Sequence, residues 1–211
     1  MIFEAATPLA RACDALVRAR RERDIEAFES ATAQLWEAAQ TAPADELTTA
    51  LTGCAELLGE LGPGFGGEFA MLCGALIELG ASPEPLIPVL RDRLAEVAGL
   101  AAEFAAVWAR EFPGEPVPEP GPAEFDAVLD RLDAAIPPDQ AVRLAESWFG
   151  WQSWMRCATA LLQHSAEARQ ACRAEPALRA AVAALEPVRA DMTSLSTLLS
   201  ASDEATSAAA A

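Results

Sequence analysis

The residues best able to do chemistry or to bind something are concentrated in one stretch, Trp148-Phe149-Gly150-Trp151-Gln152-Ser153-Trp154-Met155, which holds three of the five tryptophans. At about 100° per residue a helix would put Leu144, Trp148, Trp151, Met155, Ala158 and Leu162 on one face, with Trp154 at its edge and Phe149 opposite. Such a face is either core or an aromatic wall, whose rings offer apolar area and attract cations. In the second case Gln152, Arg156 and His164 are the polar groups that could converge on a ligand. Gly150 leaves room for another group to come close. His164, the only histidine, stands seven residues after Cys157 and eight before Cys172. A Cys–His nucleophilic pair is conceivable, because residues seven apart share a helix face. A buried thiol and a histidine at a helix end explain the same residues. One histidine and scattered cysteines do not supply the three or four ligands of a metal site. The acid pairs Asp45-Glu46, Asp130 with Asp133, and Asp203-Glu204 lack the apolar setting that raises a carboxyl pKa for acid–base work. No catalytic group, no metal and no cofactor is therefore expected.

Two further clusters carry charge or backbone chemistry. Arg18, Arg20, Arg21 and Arg23 form the one basic cluster, a possible anion patch that can equally be absorbed by ion pairs with Glu22, Glu26 or a neighbouring helix. Gly62, Gly64, Gly66 and Gly67 lack the preceding strand and the lysine of a phosphate loop, so they read as a turn and a helix start.

These residues sit in a chain of 211 residues with 52% hydrophobic and 22% charged side chains, the composition of a folded domain. The formal net charge is −17. Such a surface repels nucleic-acid phosphates and anionic headgroups and favours a basic partner, or serves solubility alone. All positive side chains are arginines, since lysine is absent, as are asparagine and tyrosine. That bias, with abundant alanine, suggests coding by a GC-rich bacterial genome. Five widely spaced cysteines without a C-x-x-C suit reduced thiols. Met1-Ile2-Phe3-Glu4 lacks the basic start and apolar run of a leader, and no run approaches the ~18 apolar residues that cross a bilayer. A cytoplasmic location and no membrane contact are expected.

Strand patterns are nearly absent, whereas helical periodicity recurs throughout. Helices are expected over 7–22 with Pro8 in the first turn, and from an Asp24 cap through Ile25, Phe28, Ala31, Leu35 and Trp36. Two matching stripes follow: Leu47, Leu51, Cys54, Leu58, Leu61, then Phe65, Phe69, Leu72, Leu76, Leu79. Joined by Gly62-Pro63-Gly64, they predict an antiparallel hairpin in which each helix supplies the other's core. A helix from about Glu84 to Glu111 comes next. After the Pro-rich stretch come helices over 123–135 and 140–164, and a last one from Pro176 to about Leu199, kinked or broken at Pro187. The expected fold is all-α, a helical bundle or short α-solenoid of seven or eight helices. It divides into an N-terminal half (1–112), a Pro-rich linker or strap (113–122), a C-terminal half (123–199) and a disordered tail (200–211).

Ala75-Leu76-Ile77-Glu78-Leu79-Gly80, followed by Pro85-Leu86-Ile87-Pro88-Val89-Leu90 and Leu94, resembles the hinge of a HEAT-type repeat. Arg23-Asp24-Ile25-Glu26-Ala27-Phe28 resembles the turn of a tetratricopeptide-type hairpin. These segments cover about a quarter of the chain, no fixed repeat period runs through it, and the tetratricopeptide tryptophan and tyrosine are missing. The resemblance implies stacked helical hairpins and, by analogy, a protein-binding surface. The expected function is a non-catalytic adaptor or regulatory module that binds another protein, with a groove lined by Trp148, Trp151 and Trp154. Alternatives are a small-ligand-binding or accessory enzyme protein using the aromatic helix, and an acidic nucleic-acid mimic. Self-association into a homo-oligomer is compatible with all three.

Overall fold

The computed structural model describes residues 7–121 and 124–200. The expected tail, with Asp203-Glu204, and the Met1–Glu4 segment lie outside the described residues, as do Pro122 and Ala123. Among the described residues the chain is all-helical, with ten α-helices: α1 (Pro8–Glu22), α2 (Ile25–Ala39), α3 (Ala44–Glu60), α4 (Pro63–Glu78), α5 (Ile87–Glu111), α6 (Phe125–Asp133), α7 (Pro138–His164), α8 (Ala166–Ala174), α9 (Pro176–Leu185) and α10 (Met192–Ser200). A 3-10 turn, Glu84–Leu86, leads into α5. Among the described residues no helix is long and apolar enough to cross a membrane.

Local chemistry sets the boundaries. Thr7 Oγ1 accepts from the Ala10 N–H at 3.2 Å and Asp24 Oδ1 from the Ala27 N–H at 2.9 Å, so α1 and α2 start on side-chain caps. Between them Arg23 adopts φ +57°, and the Asp24 N–H returns to the Ala19 carbonyl at 3.0 Å, a left-handed helix stop. The count of seven or eight helices is corrected to ten by two features. The Ser165 Oγ accepts from the Ala168 N–H at 3.1 Å and starts α8, whose apolar residues are only alanines and one cysteine. The expected last helix is also broken around Pro187, which has no N–H to give and follows the end of α9 at Leu185.

The hairpin of α3 and α4 forms, but the closest neighbour of α4 is α7. Helix α5 packs on both α7 and α9, and α10 returns to α7. One hydrophobic core therefore draws residues from before and after the Pro-rich stretch. Small residues govern the α4–α7 seam. A Cβ added at Gly66 would stand 2.9 Å from Trp154 Cζ2, one at Gly67 3.0 Å from Trp154 Nε1, and one at Gly74 3.0 Å from the Cys157 Cα. On the other side, Gly150 faces the Pro63 carbonyl and the Gly64 Cα. The glycines of 62–67 are thus a turn and helix start, and also the reason α7 can lie so near.

The stretch after α5 runs over the body. The Trp108 indole donates to the Pro116 carbonyl at 3.1 Å and the Trp148 indole to the Pro118 carbonyl at 2.9 Å. Arg131 stacks over Trp108 and Phe112 and pairs with Glu115 at 2.9 Å, holding the strap from α6.

Two glycines in helix interiors test the seam with opposite signs. Gly99→Ala, with nothing within 4 Å of the new Cβ, should stabilise the protein by about 1 kcal/mol. Gly74→Ala gains the same propensity but presses on backbone, and should cost a net ~1–2 kcal/mol. Urea denaturation of both variants checks this; two stabilised variants would contradict a close α4–α7 approach.

Candidate functional site: a groove between α2 and α4

The aromatic face of α7 is interior. Trp148, Trp151 and Trp154 are at most 1% exposed. Trp154 donates to the Pro63 carbonyl at 2.8 Å, Trp148 to the strap, and the Trp151 Nε1 has no partner among the described residues. Arginines cover two of the rings: Arg189 lies 4.6 Å over Trp148 and donates to its carbonyl at 2.8 Å, and Arg93 lies 5.6 Å over Trp154. Phe149, half-buried, meets Phe104 and Phe125 edge-on at 6.4 and 5.5 Å. The tryptophans therefore do not line an open groove. The reason is their bulk: Trp154 reaches the α3–α4 turn, Trp148 the strap and Phe104 of α5, and all three rings fill core volume. Gln152 is exposed, one turn after Trp148.

Cys157 and His164 do not meet chemically either. Cys157 is buried against Gly74, and burial pushes its thiol up to about 12. His164 is exposed, with Nε2 3.4 Å from Glu78 Oε1. Among the described residues no group of three or more His, Cys, Asp or Glu side chains is placed to hold a metal ion.

An open apolar surface lies elsewhere, between α2 and α4. Its floor is a ring cluster in which Phe28 stands 5.0 Å from Phe65 and 5.4 Å from Phe69. On one side of this cluster is a cavity of about 460 Å³ bounded by Thr32, Trp36, Met71, Leu72 and Ala75, with Glu29 and Glu68 on its edges. On the other side a cavity of about 500 Å³ is bounded by Arg20, Arg23, Asp24, Ile25, Glu60 and Leu61. The two share Phe28 and Phe65, so they form one groove. Past Met71 and Ala75 it continues to Glu78, Arg156 and Asp191. Ile25 is 65% exposed, Trp36 42% and Phe65 37%, an unusual concentration of bare large side chains.

The near end of the groove is held rigidly. Around the α3–α4 turn, three carbonyls each accept from a different helix: Glu60 from Arg20 of α1 at 3.4 Å, Leu61 from Arg93 of α5, and Pro63 from Trp154 of α7. Glu60 and Leu61 close α3, where a helix end leaves carbonyls without backbone donors, and Pro63 opens α4. Arg20 is thereby committed to the fold, with Glu60 Oε2 also 3.9 Å away. Arg18, Arg21 and Arg23 are exposed and, among the described residues, have no ion pair.

Two of the residue groups singled out by sequence thus reach this groove, Arg20 and Arg23 at one end and Arg156 at the other. Periodicity alone places Ile25, Trp36 and Phe65 in core stripes, and the structure leaves them bare. The signal that separates them is present in the sequence: Ile25, Thr32 and Trp36 share one face of α2, while Phe28, Ala31, Leu35 and Ala39 share the adjacent, buried one. A broad apolar arc hides that two faces are involved.

No family model, curated protein or solved structure matches the chain.

Of the five tryptophans, Trp36 alone is open to solvent, since Trp108 is also only 2% exposed. Acrylamide should quench one accessible class of emission, and Trp36→Phe should abolish that class without altering the helical circular dichroism. Persistence of the accessible class in the variant would mean that an indole of α7 or α5 faces solvent.

Proposed function

We propose that the protein is a non-catalytic interaction module, an adaptor or regulator, whose α2/α4 groove takes an apolar segment of a basic partner protein. The observation that carries this reading is the line of Ile25, Phe65 and Trp36 along one groove, with Glu29 and Glu68 beside it. Fully covering a large apolar side chain is worth about 1.5–3 kcal/mol, so these three supply a driving force that the free protein leaves unused. Tryptophan and arginine are favoured anchors at protein interfaces, and both types stand here. The acids that border the apolar floor, in a chain of net charge −17, favour a cationic partner and oppose nucleic acid or anionic lipid. All five cysteines are free thiols, which supports a reducing, cytoplasmic setting. The resemblance to helical-repeat hinges falls on the α1–α2 and α4–α5 junctions and fits a helix bundle that exposes a groove. The ligand-binding alternative rests on the aromatic face of α7, which is interior.

The test is native mass spectrometry of the protein purified gently from its source cells, wild type beside Ile25→Ala/Trp36→Ala. The wild type should carry a second, basic protein at fixed ratio. The double variant, whose removed side chains are largely exposed, should keep its fold and bind at least about tenfold more weakly. A bare wild-type mass, or equal retention by the variant, would refute the assignment.

A further inference from the structure

Resting on that reading of the groove, we propose that its occupant is a single amphipathic helix lying antiparallel to α2 and α4, with its C-terminal turn beside Arg20 and Arg23 and its cationic side chains over Glu29 and Glu68.

A helix is favoured over an extended segment by backbone accounting. The groove walls are helices whose N–H and C=O groups are already bonded internally, and no sheet edge is on offer among the described residues. An extended peptide would press unpaired backbone groups onto the phenylalanine floor, whereas a helix arrives with its own satisfied. The dimensions agree: from Ile25 to Trp36 the wall of α2 rises roughly 16 Å, about three turns.

The direction follows from how the walls run. The first turns of α2 and α4, with Ile25, Phe28, Gly62 and Phe65, bound the same cavity. Farther along both helices, Trp36 and Ala75 bound the next one. The two walls are therefore parallel, and their dipoles add, positive at the Ile25–Phe65 end and negative toward Trp36 and Glu78. Helices α1 and α3 both end at the positive end with opposing dipoles, but the last turn of α1 carries Arg20 and Arg21, its stop is Arg23, and the Glu60 and Leu61 carbonyls closing α3 accept from Arg20 and Arg93.

Side-chain charge runs the same way. At the near end Arg20 and Arg23 balance Asp24 and Glu60, of which Asp24 is engaged by the Ala27 N–H and Glu60 by Arg20. In the middle Glu29 and Glu68 stand without a basic residue. At the far end Glu78 and Asp191 face Arg156, and Asp191 is held by Arg189 at 2.8 Å. A helix entering with its C-terminal carbonyls toward Arg23 meets favourable fields along its whole length; the reverse orientation meets unfavourable ones.

Arg23 adds an independent indication. Its φ of +57° is a conformation that glycine takes freely and an L side chain takes at a cost. The chain keeps an arginine there, exposed and without an ion pair among the described residues.

The probe is a synthetic peptide of about 15 residues built from Leu, Ala and Lys on an amphipathic pattern, lysines in its middle turns, carrying a nitroxide at one end or the other. On the full-length protein, a label at the peptide C-terminus should broaden the amide signals of Arg23 and Asp24, and one at its N-terminus the Trp36 indole N–H. Arg23→Gly should raise the thermal midpoint and yet weaken peptide binding about fivefold. Binding in the groove with reversed or mixed broadening, or with unchanged affinity in Arg23→Gly, would overturn this orientation and leave the interaction groove standing. A peptide that perturbs neither Trp36 nor Ile25 would overturn both.

Discussion

The close approach of α4 to α7 is the constraint on which the other contacts rest. Trp154 occupies the space that side chains at Gly66 and Gly67 would need, and gives its indole N–H to the Pro63 carbonyl. That one residue fills core volume, finds a backbone acceptor for its own indole N–H, and ties α7 to a turn ninety-one residues away in sequence. With α7 in place, α5 can pack along it, α9 along α5, and α10 can return to α7. The buried tryptophans then need polar partners, because an indole N–H in apolar surroundings is costly when unbonded. Trp148 and Trp154 find backbone carbonyls. Trp151 finds none among the described residues, and is the exception among these buried indoles.

The same constraint leaves the groove open. Helix α4 is apolar or small nearly all round, and its glycine and alanine side is consumed by α7. Its Phe69 and Leu76 are buried, while Phe65 and Met71 remain on the side toward α2. Helix α2 is drawn chiefly to α1 by the short left-handed joint at Arg23, and meets α4 only around Phe28. Two apolar walls are thus held in fixed parallel positions by partners elsewhere, too far apart to close on each other. Rigid walls lower the ordering cost that a docking segment would otherwise meet. The near end is the stiffest region, since the Glu60–Pro63 turn is pinned from α1, α5 and α7 together.

Much of the fold is legible in the sequence, and the regions that are not share a cause. Thr7, Asp24, the prolines at first turns and the Gly-Pro breaks mark helix boundaries through short-range sterics and capping, which need no knowledge of the remaining chain. Helix α8 is passed over because its buried stripe, with Ala168 and Cys172, holds no large aliphatic or aromatic residue, although Ser165 offers a cap. Pro187 announces a kink or break, but not that separate helices, α9 and α10, would lie on either side of it. The candidate site is legible only in fragments: Arg20 and Arg23 from their clustering, and Arg156 as a polar neighbour of the tryptophans.

What the sequence determined by itself was the all-helical class, the helix ends, the acidic surface and the special character of the tryptophan helix and the Pro-rich strap. Only tertiary structure decided which apolar face was core and which was left bare. Hydrophobic periodicity reports that a face avoids water, but the effect is non-directional and names no partner. The partner of α4 is set by glycines that let α7 approach within contact of its backbone, and the bareness of Trp36 by the gap that α2 and α4 leave between them. Those are distances between residues far apart along the chain, and they exist only once it has folded.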